Sequence, residues 1–384
     1  MLEIEKIIPG GEALSTAPDG KKIFLWNALP DETVAEYTTV KKKSHYEEGI
    51  ATKILAPSKY RVEPKDACYL STSPWQIADF NYELELKQSL VVELFREHQI
   101  DIATPPIFTD HQDYHYRNKM EYSLFWDNES AKIKLAFHHR GSHRKFIVEK
   151  SSIERPEIFA TATEIIKDLN FRHEEARKYQ SILLRCNQTG EVSGGLFENG
   201  KPHPVFPNLT DSILGHTYSY SPNGFFQINL PVYELALREI KKHISTPEIL
   251  DLYAGVGTIG LSVAAENQKL TMVEVNAAAY EEMVKNAATR PNTNCRLAKS
   301  EEVLGEILPS QTVILDPPRA GCDDKLIYRL LEVRPKAIIY LSCNPATQAR
   351  DVKKLLEVYQ IKDVKTFNFF PHTPHIENLV ILAL

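Results

Sequence analysis

Leu250-Asp251-Leu252-Tyr253-Ala254-Gly255-Val256-Gly257-Thr258-Ile259-Gly260 begins as an apolar strand, crosses a glycine turn and enters a helix. Glycine has no Cβ, so this turn lets the backbone pass close to a ligand, and the helix start offers free N–H groups to it. The next strand, 269–275, carries Glu274 near its end, where a carboxylate can accept hydrogen bonds from two ribose hydroxyls. Gly255-x-Gly257-x-x-Gly260 also matches the dinucleotide fingerprint. A nicotinamide-dependent oxidoreductase is therefore one reading, and a tight βα turn without a ligand is another. Working outward, apolar runs at 248–253, 269–275, 312–315, 337–342 and 379–384 predict strands. Helical spacing at 231–243, 257–265, 277–288, 325–332 and 347–359 falls between or before them. Such alternation predicts an open α/β sheet with helices on both faces.

The 384 residues are enough for two or three domains, and the formal charge of -6 excludes a uniformly basic nucleic-acid coat while leaving room for a local basic face. Cys68, Cys186, Cys295, Cys322 and Cys343 are scattered without a C-x-x-C pair, which suits a reducing cytoplasm and argues against a disulfide framework or a self-contained zinc site. The first residues lack the pattern of a secretory signal, and no run approaches the roughly 20 apolar residues of a membrane-spanning helix. Residues 1–58 read as short strands separated by Gly, Pro and Asp turns, which predicts a small β-barrel. Its lysines, Lys41, Lys42, Lys43 and Lys53, fit either a protected strand edge or contacts to phosphate. After a linker at 56–64, residues 81–97 show helical spacing, with Glu83, Glu85 and Lys87 among the polar positions. The stretch 107–224 reads as strand-rich and mixed. Aromatic and basic residues interleave there at Tyr114, Tyr116, Arg117, Lys119 and Tyr122, and again from Phe137 to Lys145. Ordinary sheet composition explains this, as does stacking on unpaired bases.

Three strand ends carry the chemistry. Asp316-Pro317-Pro318-Arg319 follows one buried strand, Ser342-Cys343-Asn344-Pro345 ends the next, and Phe370-Pro371-His372-Thr373-Pro374-His375-Ile376-Glu377 leads into the last. S-adenosylmethionine has no pyrophosphate; it needs the ribose acid and groups around its adenine and amino-acid ends, with the reaction at the later strand ends. A thiolate adding at C6 of a pyrimidine makes C5 able to attack a sulfonium methyl group, and a base must then remove the C5 proton so that the cysteine can leave. Cys343 suits the nucleophile, Glu377 the base, and Arg319 or Gln227 the donor to the enolate oxygen. A lone strand-end cysteine is ordinarily a small core residue, but Asn344-Pro345 and the nearby Asp316 motif favour the reactive reading. His372, His375 and Glu377 offer three metal donors, yet on a strand His372 falls on the face opposite the other two, so no metal is expected.

With those residues in hand, the chain closely resembles the RNA uridine C5-methyltransferase family, over nearly its whole length. Asn223-Gly224-Phe225-Phe226-Gln227-Ile228-Asn229, the Asp251–Gly260 loop, Asp316-Pro317-Pro318-Arg319, Ser342-Cys343-Asn344-Pro345 and His375-Ile376-Glu377 stand in family order. The resemblance implies a Rossmann-like class I methyltransferase domain at 221–384, a mixed central domain at 59–220 and a TRAM-like barrel at 1–58. It implies Cys343 as nucleophile and Glu377 as proton acceptor. Gln227, Tyr253, Gly255, Gly257, Thr258, Glu274 and Asp316 are implied around S-adenosylmethionine, with Gln227, Asp316 and Arg319 near the target base. Tyr116-Arg117-Asn118-Lys119 matches a family segment, which places Arg117 and Lys119 on the RNA. The implied substrate is rRNA or tRNA in the cytoplasm, with no obligatory protein partner, and methylation of cytosine C5 is the rival chemistry. Two departures stand out. Many members hold an iron–sulfur cluster on four cysteines, whereas here Cys68 is alone and Ser151 and Ser152 stand near the last cluster position, so no cluster is expected. Thr258 stands where several relatives have Asn.

Overall fold

Val313-Ile314-Leu315 and Ile338-Ile339-Tyr340-Leu341 are apolar at every position, the mark of parallel strands covered on both faces. The computed structural model, which describes residues 1–384, builds them into an eight-stranded sheet. In chain order its strands are β1 (Ile107–Phe108), β2 (Glu248–Leu252), β3 (Lys269–Glu274), β4 (Thr293–Leu297), β5 (Gln311–Leu315), β6 (Ala337–Ser342), β7 (Gln360–Phe367) and β8 (Glu377–Ala383). The spatial order is β4-β3-β2-β5-β6-β8-β7-β1, with β8 antiparallel to both its neighbours. The chain runs outward from β2 to β4 and then returns to β5, so the strand order reverses between β2 and β5. A crevice at the carboxyl ends of those two strands is where such sheets take ligands.

Seven helices matter here: α1 (Phe80–Glu97), α2 (Pro156–Phe171), α3 (Leu230–Lys242), α4 (Thr258–Val263), α5 (Ala277–Ala287), α6 (Asp324–Val333) and α7 (Pro345–Leu355). Alternate residues of the sheet feed two cores. Leu250, Val313, Ile338 and Val380 pack with α1, α6 and α7, while Ile249, Ile314, Ile339 and Ile381 pack with α3, α4 and α5. The polar edge strand β4 and the charged, bulged β7 carry weak apolar alternation, which is why their sequences did not announce them. No helix is long and apolar enough to cross a membrane.

The N-terminal strands form a six-stranded sheet. Leu2–Glu3 pairs with Thr33–Val34, and Lys6–Ile7 pairs with Ala13–Leu14, so the first few residues join both edges and close a barrel. Several of its lysines are paired: Lys41 with Glu48 at 2.8 Å, Lys42 with Glu47 at 2.9 Å, and Lys53 with Glu36 at 3.3 Å. The barrel core (Ile4, Ile23, Leu25, Val34) is continuous with α1 and with the α6–α7 side of the large sheet.

A second antiparallel sheet, from Lys119 to His203, lies under α2. The spacing Ile158, Ala162, Ile166, Leu169 and the proline at its first turn account for that helix, which the strand-rich reading of this stretch did not contain. The boundaries drawn at 58 and 220 cross the observed packing. α1 lies on α7, β1 joins the edge of the large sheet, and the hairpin Leu209–Tyr220 packs with α3, α4 and α5. The apolar face of α1 (Leu90, Val91, Leu94, Phe95) needs a layer to cover it, and the large sheet's helices supply that layer. Glu83 and Lys87, read only as polar positions of the helix, are fully buried.

Candidate active site

At the carboxyl end of β2 the chain turns sharply: Tyr253, Gly255 and Gly257 all take positive φ, at 64°, 58° and 88°. Gly260 is required by contact, since a Cβ there would lie 2.8 Å from Asp251 Oδ2. That oxygen accepts the Gly260 N–H at 2.8 Å, while Asp251 Oδ1 is buried without a partner. Glu274, at the end of β3, accepts the Gly255 N–H at 2.8 Å and the Asn276 N–H at 2.7 Å. A carboxylate has about four lone-pair sites, so two remain for a ligand. Space above Gly255 is open. Thr258 is buried at the start of α4, a helix of only six residues.

Asp316 sits just past β5 and Cys343 just past β6, both half-buried. β6 and β8 pair through Ser342↔Asn378. One step further along the same register, Cys343 stands opposite Glu377, and opposed residues of an antiparallel pair have Cβ atoms about 5 Å apart. Asn344 begins α7 as its N-cap, accepting from the Ala346 N–H at 3.3 Å, and Pro345 occupies the first turn. This cap stops β6 abruptly and leaves Cys343 on the rim. The first turns of α7 also hold the Asp316–Cys322 loop. Asn344 Nδ2 and Thr347 Oγ1 donate to Arg319 O at 2.8 and 3.1 Å, and Asp351 Oδ2 accepts the Cys322 N–H at 2.9 Å.

Electrostatically the rim is acidic. Burial lifts the Asp316 carboxyl to about 7 and Asp251 to about 8. Glu377 is pushed well above the usual carboxylate range by burial and then by Asp316. Burial first, then the Glu377 and Asp316 carboxyls, push the Cys343 thiol up to about 11, with Arg319 opposing them.

Gln227 lies on the loop before α3, and residues from the second sheet hold that loop. Asn118 Nδ2 donates to Gln227 O at 3.0 Å, Arg185 Nη1 to Phe226 O at 3.2 Å, and Lys119 Nζ to Asn223 O and Gly224 O at 3.2 and 3.1 Å. Lys119, expected on RNA, thus spends its ammonium on two carbonyls; burial and then Arg185 pull it down to about 8. Arg117 instead lines a cleft of about 510 Å³ between barrel, second sheet and residues 373–375, together with Trp26, Phe137, His138, Arg140 and His375.

The three-donor metal reading is not met: His372 turns inward, 3.5 Å from Glu83 and 3.3 Å from Asp113, while His375 is exposed, and no cluster of His, Cys, Asp and Glu is placed to hold a metal. An iron–sulfur cluster does not fit either. Around Cys68 the buried groups are hydroxyl, amide and carboxylate: Asp66 accepts from Ser152 Oγ at 2.7 Å and from Gln76 Nε2 at 2.9 Å. Sequence reasoning missed Asn118, Asn229, Glu83 and Lys87. Their roles consist of long-range hydrogen bonds, which leave no local pattern.

Comparison with known proteins agrees with this geometry. The tRNA (Uracil-5-)-methyltransferase family profile matches residues 305–384, and the methyltransferase small domain profile matches 233–334. An uncharacterized RNA methyltransferase of Staphylococcus aureus strain MSSA476 is 30% identical over 94% of this chain and 93% of its own; one from Bacillus anthracis is 27% identical over 94% and 92%. Among solved structures, the Pyrococcus abyssi tRNA (uracil-54, C5)-methyltransferase in complex with S-adenosyl-L-homocysteine superposes with a TM-score of 0.78 at 23% identity, covering both chains completely. The full-length relative at 30% identity makes the chain a member of the RNA methyltransferase family, with a C-terminal segment that matches the tRNA (Uracil-5-)-methyltransferase profile.

Proposed function

We propose that this protein methylates C5 of a uridine in structured RNA, rRNA or tRNA, using S-adenosylmethionine. The observation that carries the reading is the Ser342↔Asn378 pairing of β6 and β8, which, continued by one residue, supports a Cys343–Glu377 juxtaposition on the rim that also holds Asp316 and the Glu274 corner. The residues suit the cofactor: Glu274 accepts only two backbone N–H groups and retains acceptors for ribose hydroxyls. When bound, the cofactor supplies a methyl group to the nucleophilic C5 and departs as S-adenosylhomocysteine.

The chain's own residues do the rest. Cys343 Sγ gives its proton to solvent and bonds to C6, and the C5–C6 π electrons move to C5 and O4. Burial, then the Glu377 and Asp316 carboxyls, favour the protonated thiol. Arg319 is the rim cation that favours the thiolate, and with Gln227 it serves as donor to the developing oxyanion. Once C5 carries the methyl group, Glu377 in the ionised form that Arg319 favours takes the C5 proton, the double bond re-forms, and the Sγ–C6 bond breaks with its electron pair returning to sulfur. A base in a helix or loop must be turned out to expose C6. The cleft of Arg117, Arg140, Trp26 and Phe137 supports contact with phosphate and unpaired bases beside it.

The test is incubation of the protein with methyl-labelled cofactor and total RNA from cells lacking it, followed by digestion to nucleosides. Label in 5-methyluridine is expected. Label solely in 5-methylcytidine would overturn the reading, as would binding of a nicotinamide cofactor without S-adenosylmethionine in calorimetry.

A further inference from the structure

The loop between β7 and β8 delivers Glu377 to the rim, and four distant parts of the chain seize four consecutive carbonyls of it. Asn229 Nδ2 donates to Phe369 O at 3.2 Å, Lys87 Nζ to Phe370 O at 3.1 Å, Tyr116 Oη to Pro371 O at 2.9 Å, and the Trp75 N–H to His372 O at 3.0 Å. The α1 pair does more. Lys87 donates to Asn368 Oδ1 at 2.6 Å, and Glu83 accepts from Asn368 Nδ2 at 3.2 Å and from the His372 N–H at 2.8 Å. The two side chains lie 2.8 Å apart with 0% of either exposed.

A buried ion pair is a poor way to gain stability, because removing both charges from water offsets their attraction, and an apolar pair of similar volume often serves as well or better. Holding α1 against the sheet therefore does not account for Glu83 and Lys87; Leu90, Val91 and Phe95 already do that. What an apolar pair cannot do is grip Asn368, Phe370 and His372. We infer that Glu83 and Lys87 are positioning residues for proton removal from C5, holding the loop so that Glu377 meets the substrate carbon. This rests on the reading of Glu377 as the base.

Displacing a catalytic group by about 1 Å can cost on the order of 10²-fold in rate. The decisive variant is Glu83→Gln with Lys87→Met, which removes both charges together and leaves none stranded. It is assayed as the full-length protein with S-adenosylmethionine and a uridine-containing RNA substrate. A tenfold or greater fall in kcat is expected, with KM for both substrates unchanged and a covalent, methylated RNA–protein adduct accumulating on denaturing gels. Lys87→Met alone is expected to melt at a lower temperature than the double variant, because it leaves Glu83 buried and unpaired. Tyr116→Phe removes one loop contact with no change of charge and is expected to show the same kcat loss and adduct more weakly; it decides the matter if the double variant is unstable. Folded variants that turn over at the parental rate without adduct would overturn the inference while leaving the base assignment standing. Full turnover and no adduct in Glu377→Gln on the same gel would overturn the base assignment, and the inference with it.

Discussion

Two corners of the rim are built in opposite ways. The Gly255–Glu274 corner is local: one strand, one glycine turn and the end of the next strand close it with two backbone hydrogen bonds to a single carboxylate. The Glu377 corner is assembled from afar, its loop held by residues of α1, by the segment around Trp75, by Tyr116 just ahead of the second sheet and by the N-cap of α3, with the barrel resting against Pro374. A ligand corner tolerates local construction because binding needs only complementary groups. A base that must meet one proton at one moment needs a position fixed from several directions, and only tertiary contacts can fix it.

The contrast can be broken most severely at its chemical centre. Cys343→Ala is expected to lower turnover by at least about 10³-fold, as loss of a nucleophile does, while cofactor binding measured by calorimetry stays intact. Replacing Glu377 with Gln should leave the first methyl transfer in place and trap the adduct, visible as a shifted band on denaturing gels. Glu274→Gln acts on the local corner alone. Loss of a charged acceptor is worth about 1.5–3 kcal/mol, so KM for the cofactor should rise roughly 10- to 100-fold with kcat nearly unchanged.

Gly11→Val probes the remote construction. A Cβ at Gly11 would lie 2.4 Å from Pro374 Cβ, at a φ of +101° that side chains rarely adopt. Overpacking of this kind costs about 1–3 kcal/mol. A lower melting temperature and a severalfold slower turnover are expected, with cofactor affinity unaltered. A change in cofactor affinity instead would show that the two corners are not separately built.

The last effect, on stability rather than turnover, concerns pH. Asp251 is lifted to about 8 in the folded chain, against about 3.9 unfolded. The folded state therefore holds this proton more tightly than the unfolded state, so the contribution is full below about pH 4 and is lost as pH rises through 8. Asp251→Asn keeps a carbonyl oxygen for the Gly260 N–H. It should melt close to the parent at pH 4 and above it at pH 8; an identical pH dependence in both proteins would remove Asp251 from the account.

Much of the site was legible because it is contiguous. The glycine turn, Asp316-Pro317-Pro318-Arg319 and Ser342-Cys343-Asn344 each place a reactive residue beside the turn or cap that exposes it. Glu83 and Lys87 were illegible for the opposite reason: a Glu and a Lys four apart on a helix are the ordinary pattern of a solvated face. Lys119 read as a contact for RNA because its neighbours are aromatic and basic, yet two carbonyls of the Gln227 loop take its ammonium.

The amino-acid order alone therefore determined the α/β alternation and the β-rich character of the N-terminal strands, and it marked out a candidate thiol and carboxyl, since each is written in short-range periodicity or in a turn. Which residues hold that carboxyl, how the barrel core runs into the catalytic layer, and that a Glu–Lys pair goes inside rather than out were settled only by the folded chain. Burial and hydrogen bonding between residues hundreds of positions apart depend on what the other layers present, and no local pattern encodes that.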